Sequence, residues 1–454
     1  MKKSAIIALM LGSAIAANAE GYQVNTFSAK QEGMGHAGVA MPLGAESQLF
    51  NPGALAFSDK TFEISGAVSA ISAHATATYD GADYKTDNGI STPMNFSAAF
   101  RIFDNFYGGL TFYTPYGSAI NWGENWPGAV LNQQVSIKCF TLQPTLAWRF
   151  LPNLSVGAGV MVSWGSVNLD KGLMTATSLN KLMGALGMPP EAMYAPGVTP
   201  ASVNLNGKSN LAVGYTLGAL WEINRHWNIG ASFRSKMTMT VGKGAAAVSY
   251  NGAAEQLLTP VLDNLNHTNF RASLPCPYVF TAGIAYKPID NLTLAFDAQL
   301  NGWGTYKHLD IEFDNLEAFN QHLIKDYKNA MTYHIGAQWG VTRRLDLRAG
   351  LMIDTNPCNK EYYNPETPGQ TRIEPSVGFS FRPIKNLSVD FAFMYVQGTG
   401  MNGATGRYDD LVYKVAAQTN PALPGLLGLQ PEGTFTADYH VHAFIPALGL
   451  SYSF

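Results

Sequence analysis

This sequence has few charged residues: Asp, Glu, Lys and Arg make up 13% of its 454 positions, against about 25% in an average soluble protein. After the N-terminal segment no stretch approaches eighteen consecutive apolar residues, so no membrane-spanning helix is predicted there. The formal net charge is only −3, which argues against a nucleic-acid partner. Low charge together with 12% aromatic residues is typical of strands that face lipid on one side.

Cysteines are also scarce. Cys139, Cys276 and Cys358 form neither a CxxC motif nor a zinc-ligand spacing, and three thiols cannot all pair with one another. We expect isolated thiols with at most one fortuitous disulfide, no metal site and no cofactor. The histidines are scattered, and no serine and histidine fall together on a lipid-facing surface. The sequence therefore predicts no catalytic residues and no enzyme.

The two ends of the chain predict export. Residues 1–19 combine a basic start, an apolar stretch at 5–17 and a small-x-small cleavage site, which is typical of a secretory signal, so the mature chain is expected to begin at Glu20. The last segment alternates bulky and small residues and stops at Phe454. This ending resembles the signal by which outer-membrane barrels are recognised for assembly.

Beyond residue 60, apolar and polar residues alternate in fourteen short segments, joined by connections that are in turn short and long. An even number of strands, short turns on one side and long loops on the other are typical of a bacterial outer-membrane barrel. We therefore predict an all-β fold, a 14-stranded antiparallel transmembrane β-barrel over residues 61–454. The predicted strands are 61–71, 94–102, 106–113, 136–150, 154–164, 211–223, 227–239, 278–287, 292–301, 331–339, 345–354, 373–382, 387–395 and 443–454.

Alternation assigns each predicted strand an outward, lipid-facing side and an inward side. In 227–239, taken as one strand, Met237 and Met239 are placed outward and Arg234 and Lys236 inward. Over all fourteen segments the charged residues fall inward except Lys138, which lies near a loop. Inward bases and inward acids are equal in number. This predicts a paired polar interior and disfavours a porin lined by one sign of charge.

Residues 20–60 are rich in Gly and Ala and lack the pattern of a strand. A ring of fourteen strands encloses a lumen wide enough to leak unless something fills it. We expect residues 20–60 to form a hatch, or plug, inside the barrel, with a turn at Asn51, Pro52 and Gly53.

Several motifs, in their order along the chain, resemble those of a known family. Residues 21–28 (GYQVNTFS), residues 33–38 (GMGHAG) and Asn51-Pro52-Gly53, where the family has Asn-Pro-Ala, resemble the start of the FadL family. That family comprises outer-membrane transporters for long-chain fatty acids and other hydrophobic compounds. The resemblance runs from residue 20 to the C-terminus and implies fourteen strands, an internal hatch and a monomer. Further similar stretches lie at 114–118, 142–147, 233–235 and 273–277.

The resemblance also implies a route. A ligand binds at the outer loops, enters a pocket in the barrel and leaves sideways through a gap in the wall, without energy coupling. In the family that gap comes from a kink in the third strand, which here is 106–113. Gly108 and Gly109 are the candidate kink and lateral opening, because a Gly pair inside a strand often marks a bend. Alternatively, the two glycines accommodate close packing of the hatch.

The long loops carry more apolar residues than water-facing loops need. Residues 172–188 are apolar at helical spacing, and Leu182, Met183 and Leu186 are candidate contacts for a fatty acid or an aromatic hydrocarbon. The alternative is that loop helices pack against one another. Arg234 and Lys236 are candidates for binding a ligand carboxylate, unless each simply pairs with an inward acid such as Glu222.

We therefore predict passive, ligand-gated transport of hydrophobic small molecules through the outer membrane of a Gram-negative bacterium, with membrane lipids as the other partners. Two alternatives stay open. A general hydrophilic porin would lack a hatch and conduct polar solutes. A lipid-active outer-membrane enzyme would need Ser and His together near the membrane edge.

Overall fold

A computed structural model describes residues 21–454, so the predicted signal sequence at 1–19 lies outside the described residues. Residues 21–454 contain 22 β-strands and six short α-helices. Within this range no helix has both the length and the apolar character needed to cross a membrane. The helices are α1 (Ala29–Glu32), α2 (Ser47–Phe50), α3 (Ala176–Ala185), α4 (Ala254–Leu262), α5 (Leu411–Thr419) and α6 (Leu423–Leu426).

The strands follow one another along nearly the whole described chain. In chain order they are β1 (Phe62–Ser69), β2 (Ser72–Tyr79), β3 (Ala82–Lys85), β4 (Met94–Phe103), β5 (Phe106–Asn121), β6 (Gln134–Leu151), β7 (Leu154–Gly172), β8 (Ala201–Lys208), β9 (Ala212–Glu222), β10 (Trp227–Arg234), β11 (Met237–Tyr250), β12 (Asn269–Cys276), β13 (Val279–Ile289), β14 (Leu292–Asn301), β15 (His308–Phe313), β16 (Gln321–Ile324), β17 (Ala330–Thr342), β18 (Leu345–Asp354), β19 (Arg372–Ile384), β20 (Leu387–Gly398), β21 (Met401–Asp409) and β22 (Glu432–Ser453).

Fourteen of these strands each pair antiparallel with two neighbours and close into a ring. The order is β1, β4, β5, β6, β7, β9, β10, β13, β14, β17, β18, β19, β20 and β22, which pairs back to β1. This confirms the predicted 14-stranded antiparallel barrel. The other strands extend the sheet on the side of the long connections, pairing with ring strands or with one another.

The ring strands alternate between an exposed apolar face and a buried face. In β6 the exposed side chains include Leu142, Leu146 and Trp148, whereas Gln143 and Thr145 between them are buried. Period-2 alternation of this kind sets an apolar outer surface against a polar interior. The outward and inward sides predicted from the sequence hold for this strand.

The prediction that 227–239 is one strand is wrong. β10 ends at Arg234 and β11 begins at Met237, with Ser235 and Lys236 between them. The two strands also pair with different partners, β13 and β12 respectively. The interruption shifts the alternation by one residue, so Met237 and Met239 are buried, not outward, and Lys236 is exposed, not inward.

Residues 21–57 form no ring strand and are almost entirely buried. Hydrogen bonds from this segment reach strands all around the ring, so the segment lies within it. The partners are Ser69 of β1, Ala98 of β4, Ala219 of β9, Asn228 of β10, Asp297 of β14, His334 of β17 and Ser451 of β22.

Candidate functional site

An apolar space, here called the inner cavity, lies at the end of the ring where the long connections are. Ends of ring strands and strands of the long connections form its wall together. The apolar lining side chains include Val135 and Ile137 of β6, Leu205 of β8, Met239 and Val241 of β11, and Leu309 and Ile311 of β15.

Among the described residues that line the inner cavity, Glu366 alone carries a charge. Its carboxylate accepts a hydrogen bond from Nζ of Lys325, whose side chain is 1% exposed. The same Nζ lies 5.9 Å from the centroid of the Tyr306 ring. The hydroxyl of Thr367, beside Glu366, is 3.0 Å from the hydroxyl of Tyr327. The apolar cavity therefore has one polar corner, and that corner is an ion pair with no net charge.

A second depression, here called the outer groove, lies one step further from the ring. The two spaces share strands: on β7, Leu169 lines the inner cavity and Lys171 the outer groove. On β15, Ile311 lines the inner cavity and Phe313 the outer groove. Residues two apart on a strand lie about 7 Å apart on the same face. The outer groove therefore lies next to the inner cavity along the direction of β7 and β15.

The outer groove combines apolar and basic side chains. Nζ of Lys171 donates a 3.1 Å hydrogen bond to Oε1 of Gln321. Nζ of Lys414 lies 2.6 Å from a carboxylate oxygen of Asp409. Most of the remaining lining is apolar. An apolar groove edged by ammonium groups suits a ligand with a long apolar body and a polar or acidic end.

The first described residues lie against both the inner cavity and the wall. The ring of Tyr22 lines the inner cavity and packs against the ring of Trp303 with centroids 5.0 Å apart. The backbone N–H of Val24 donates to the carbonyl of Pro115 at 2.9 Å, and the N–H of Gly117 donates to the carbonyl of Tyr22 at 2.8 Å. The start of the buried segment thus occupies the edge of β5 beyond the point where β4 stops pairing with it.

The third ring strand, β5, is irregular in its second half. Its register with β6 shifts between Tyr113 and Tyr116, where two residues of β5 face one residue of β6. Alternation in burial stops at the same place, since residues 113–118 are all buried. At this irregularity both faces of β5 are buried, so this part of the strand does not present one side to lipid as the other ring strands do.

The expected bend is not at Gly108 and Gly109. Both residues pair in regular register with β4 on one side and β6 on the other. A Cβ added at Gly109 would lie 2.6 Å from Oε1 of Gln48 in the buried segment. The close approach of that side chain explains the glycine at 109, in agreement with the alternative role in packing.

The two predicted cations lie apart. The Arg234 guanidinium faces the buried segment, 5.5 Å from the ring centroid of Phe27 and 5.8 Å from that of Tyr113. It lines a polar space that it shares with Asp297, not the inner cavity. Lys236 is exposed on the outer surface. The structure does not bring them together, because the chain breaks its alternation between them.

The predicted loop residues belong to the packing around the cavities. Leu182 and Met183 are buried in α3 within the large apolar cluster of the loops, whereas Leu186, just past the end of α3, is 58% exposed. None of the three lines the inner cavity or the outer groove. Sequence reasoning placed Met239 on the lipid-facing side and did not identify Leu309, although the apolar alternation of Leu309, Ile311 and Phe313 in a predicted loop was an available signal.

The predicted turn residues sit deep in the ring. Asn51 Oδ1 accepts a 3.0 Å hydrogen bond from the N–H of Gly53, and Pro52 begins a short 3₁₀ helix. A Cβ at Gly53 would lie 2.9 Å from the carbonyl oxygen of Gly218 in β9. The departure from the family's alanine at this position therefore has a reason: the turn is pressed against the wall.

Within residues 21–454 no three His, Cys, Asp or Glu side chains are grouped as metal ligands. All three cysteines are free thiols and buried. Burial, the largest cause, raises the pKa of the Cys358 thiol to about 11, so this loop thiol stays protonated at neutral pH.

The sequence and fold match known proteins. Residues 10–454 match the profile of the family described as outer membrane protein transport protein (OMPP1/FadL/TodX). Outer membrane protein P1 of Haemophilus influenzae is 23% identical over 304 residues, 65% of this chain, and the match spans 63% of that protein's length. The long-chain fatty acid transport protein of Escherichia coli O6:H1 is 21% identical, covering 83% of this chain and 87% of that protein.

A solved structure agrees with the fold. The crystal structure of a Pseudomonas aeruginosa FadL homologue has a TM-score of 0.77 at 19% identity and covers 96% of this chain and 100% of that one. The family profile extends over the ring, the buried segment and the long connections alike. This chain is an outer-membrane β-barrel and belongs to the OMPP1/FadL/TodX family of outer membrane transport proteins.

Proposed function

We propose that this protein carries hydrophobic small molecules across the outer membrane by passive diffusion. The observation that carries the proposal is the inner cavity, a space walled almost entirely by apolar side chains at the loop end of a closed ring of strands. Apolar surface of this extent inside an otherwise polar lumen is costly to leave in contact with water. A site of this kind suits an apolar ligand better than a polar solute.

The order of the two spaces suggests the route. The outer groove lies further from the ring, so a ligand meets it first, and Lys171 is placed to pair with a carboxylate there. The inner cavity, one step deeper, then takes the apolar body. This two-step arrangement fits a fatty acid, and the Escherichia coli relative is a long-chain fatty acid transport protein by name. It also fits an aromatic hydrocarbon, which needs only the apolar walls.

We infer that residues 20–60 act as a hatch. The described part of this segment fills the ring below the inner cavity and is hydrogen-bonded to strands on every side, which supports a barrier to polar solutes. A ligand then needs another way out. We infer that it leaves sideways at the β5 irregularity between Tyr113 and Tyr116, where Tyr22 and Val24 cover the strand edge and movement of these residues would open it.

A cavity-filling substitution tests the transport step. Met239 is 4% exposed and lines the inner cavity, whereas Val213 is 67% exposed on the outer surface of β9. We expect Met239→Trp to lower uptake of radiolabelled palmitate and toluene by cells at least about tenfold, because an indole occupies the ligand's space. Val213→Trp adds the same side chain to the lipid face and should leave uptake unchanged.

Two outcomes would argue against the proposal. Unchanged uptake in cells making Met239→Trp would show that ligands do not pass through the inner cavity. Entry of a polar dye through the intact protein would favour the hydrophilic porin. Removal of residues 21–50 provides the companion test of the hatch, since it should admit polar dye that the intact protein excludes.

A further inference from the structure

One side of the outer surface of the barrel carries a row of basic side chains. We call it the cationic arc; it lies on strands β6, β8, β11 and β12 and on the link before β11. Four of its members are exposed and the fifth, Lys138, is half-buried. The sequence predicted Lys138 as the one outward charge, and the structure places four further basic residues near it on the outer surface. The members are Lys138, Lys208, Lys236, Lys243 and Arg271.

Strand register places three members of the arc side by side. Lys138 on β6 pairs with Ser166 on β7, and Ser166 pairs in turn with Lys208 on β8. Ala245 on β11 pairs with Asn206 on β8. Two residues further along each antiparallel strand, Lys243 therefore falls level with Lys208.

A bulge brings the fourth strand into the row. The β11–β12 register shifts between Val241 and Gly244, so Gly242 and Lys243 lie opposite Arg271 on β12. Five adjacent strands at about 4.8 Å spacing span about 19 Å. The arc is therefore wide enough to contact more than one phosphate group at a time.

Aromatic side chains fix the height of the arc. Phe140 is the next outward-facing residue of β6 after Lys138, on the side away from the long connections. It pairs with Trp164, and Phe112 stacks on it with ring centroids 5.9 Å apart. Such aromatic girdles mark the boundary between the hydrocarbon and the headgroups in outer-membrane barrels. The long connections lie on this same side of the barrel. The arc therefore lies at the headgroups of the outer leaflet.

The same order of aromatic and basic residues recurs two strands away. The rings of Tyr215 on β9 and Phe233 on β10 are 6.0 Å apart on the outer surface. Lys236 is the next outward residue beyond Phe233. This explains the exposure of Lys236, which sequence reasoning had assigned to a ligand inside the barrel.

Carboxylates lie close to one end of the arc, where Glu312 on β15 pairs with Arg271 on β12. Within residues 21–454, none of its four lysines has a carboxylate within 4 Å. Arg271 lies 3.4 Å from Asp314, but the two side chains are 58% and 42% exposed, so this ion pair is weak. A row of unpaired ammonium groups held on rigid strands at headgroup depth attracts anionic headgroups.

We propose that the cationic arc binds the phosphate groups of a phosphorylated lipid of the outer leaflet. The lysines supply charge-assisted hydrogen bonds to phosphate oxygens, and the aromatic girdle below them packs against the acyl chains. The arc lies outside the two ligand spaces, and its member Lys138 pairs with Gly117 on β5, next to the irregularity between Tyr113 and Tyr116.

Purified full-length protein in detergent gives the test, with lipid A bearing two phosphates as the probe. The triple variant Lys138→Gln, Lys208→Gln, Lys243→Gln removes the charge of the arc but keeps its polarity. The matched control is Lys85→Gln, Lys328→Gln, Lys360→Gln, three exposed lysines outside the arc. We expect the arc variant to bind the probe at least about tenfold more weakly than the wild type and the control. Dephosphorylated lipid A should bind all three proteins equally weakly.

Two results would overturn the proposal. Equal binding of the probe by the arc variant and the wild type would show that the lysines do not contact phosphate. Binding of inorganic phosphate alone as tightly as the lipid would assign the arc to free phosphate. The thermal unfolding midpoint of the arc variant, which should equal that of the wild type, provides the check on folding.

Discussion

The amide nitrogen of Asn51 donates a 2.8 Å hydrogen bond to the carbonyl oxygen of Ala219, which joins the buried N-terminal segment to ring strand β9. The same nitrogen donates at 2.7 Å to the carbonyl oxygen of Val39, and the Asn51 side chain is fully buried. One side chain therefore holds two parts of the segment together and both of them to the wall.

We expect Asn51→Ala to loosen this segment. The substitution removes two hydrogen bonds, which contribute about 0.5–1.5 kcal/mol each. Trypsin cleavage after Lys30 in folded protein should become faster, and cells making the variant should leak polar dye. Asp59→Ala, at an exposed position near the end of the same segment, is the control. Equal cleavage rates in the two variants would show that Asn51 is not an anchor.

The two glycines of β5 should differ in their response to alanine. A Cβ at Gly109 meets the Gln48 side chain inside the ring, whereas a Cβ at Gly108 meets the ring of Phe100, which is 44% exposed on the outer face. An exposed ring is free to turn aside, but a buried amide is not. Gly109→Ala should therefore lower the thermal unfolding midpoint and speed cleavage after Lys30, while Gly108→Ala changes the cleavage little. The reverse order would place the sensitive contact on the lipid side.

We expect Glu366→Gln to change ligand preference. It leaves the buried Lys325 ammonium beside the inner cavity without its carboxylate partner. Loss of one partner of a buried ion pair destabilises a protein by about 3–5 kcal/mol, and a ligand carboxylate is a ready replacement. In binding assays with purified protein, we compare the affinity for palmitate with the affinity for an uncharged hydrocarbon of equal length. The ratio of the two affinities should be about tenfold higher in the variant than in the wild type.

The double variant Lys325→Met, Glu366→Gln separates charge from shape. It removes both charges, so the ratio of palmitate to hydrocarbon binding should return towards that of the wild type. A ratio that stays high in the double variant would assign the effect to the shape of the cavity. An unchanged ratio in Glu366→Gln alone would show that the Lys325–Glu366 pair does not influence which ligand binds.

Glu32 makes the buried segment sensitive to pH. Burial, the largest cause, raises the pKa of its carboxyl to about 8, although the Ser69 hydroxyl donates to it at 2.9 Å and partly opposes the shift. The folded segment therefore holds a proton that the unfolded chain gives up near pH 4.5. The contribution of the Glu32 proton to the stability of the folded segment is fully present below that pH. It is lost progressively as the pH rises through about 8.

The measurement is tryptic cleavage after Lys30 between pH 6 and pH 9, expressed relative to Glu32→Gln. The glutamine variant carries no titrating proton at this site, so the ratio corrects for the pH dependence of trypsin. The ratio of wild-type to variant cleavage should rise with pH. A ratio that stays flat would mean that Glu32 does not control the opening of the segment.

The predictions succeeded where local periodicity decides the structure. All fourteen ring strands were predictable, because each must turn an apolar side to lipid, and β6 shows this in its alternation of Leu142 with Gln143. Periodicity failed at Ser235 and Lys236, where strand β10 ends and strand β11 begins with different pairing partners. A two-residue interruption leaves no mark in composition, yet it reverses the side of the residues that follow it in the predicted segment, such as Met237 and Met239.

The sequence alone determined the ring, its strand number and its outward face, since lipid on one side and hydrogen-bonded neighbours on the other permit few alternatives. Only the tertiary structure decided which side chains meet. It took Arg234 to the buried segment and Lys236 to the lipid face, moved the irregularity of the third strand from Gly108 to Tyr113, and assembled the inner cavity from loop strands far apart in the chain. The reason is physical: alternation is set within a few residues, whereas a cavity depends on pairings between segments separated by hundreds of positions.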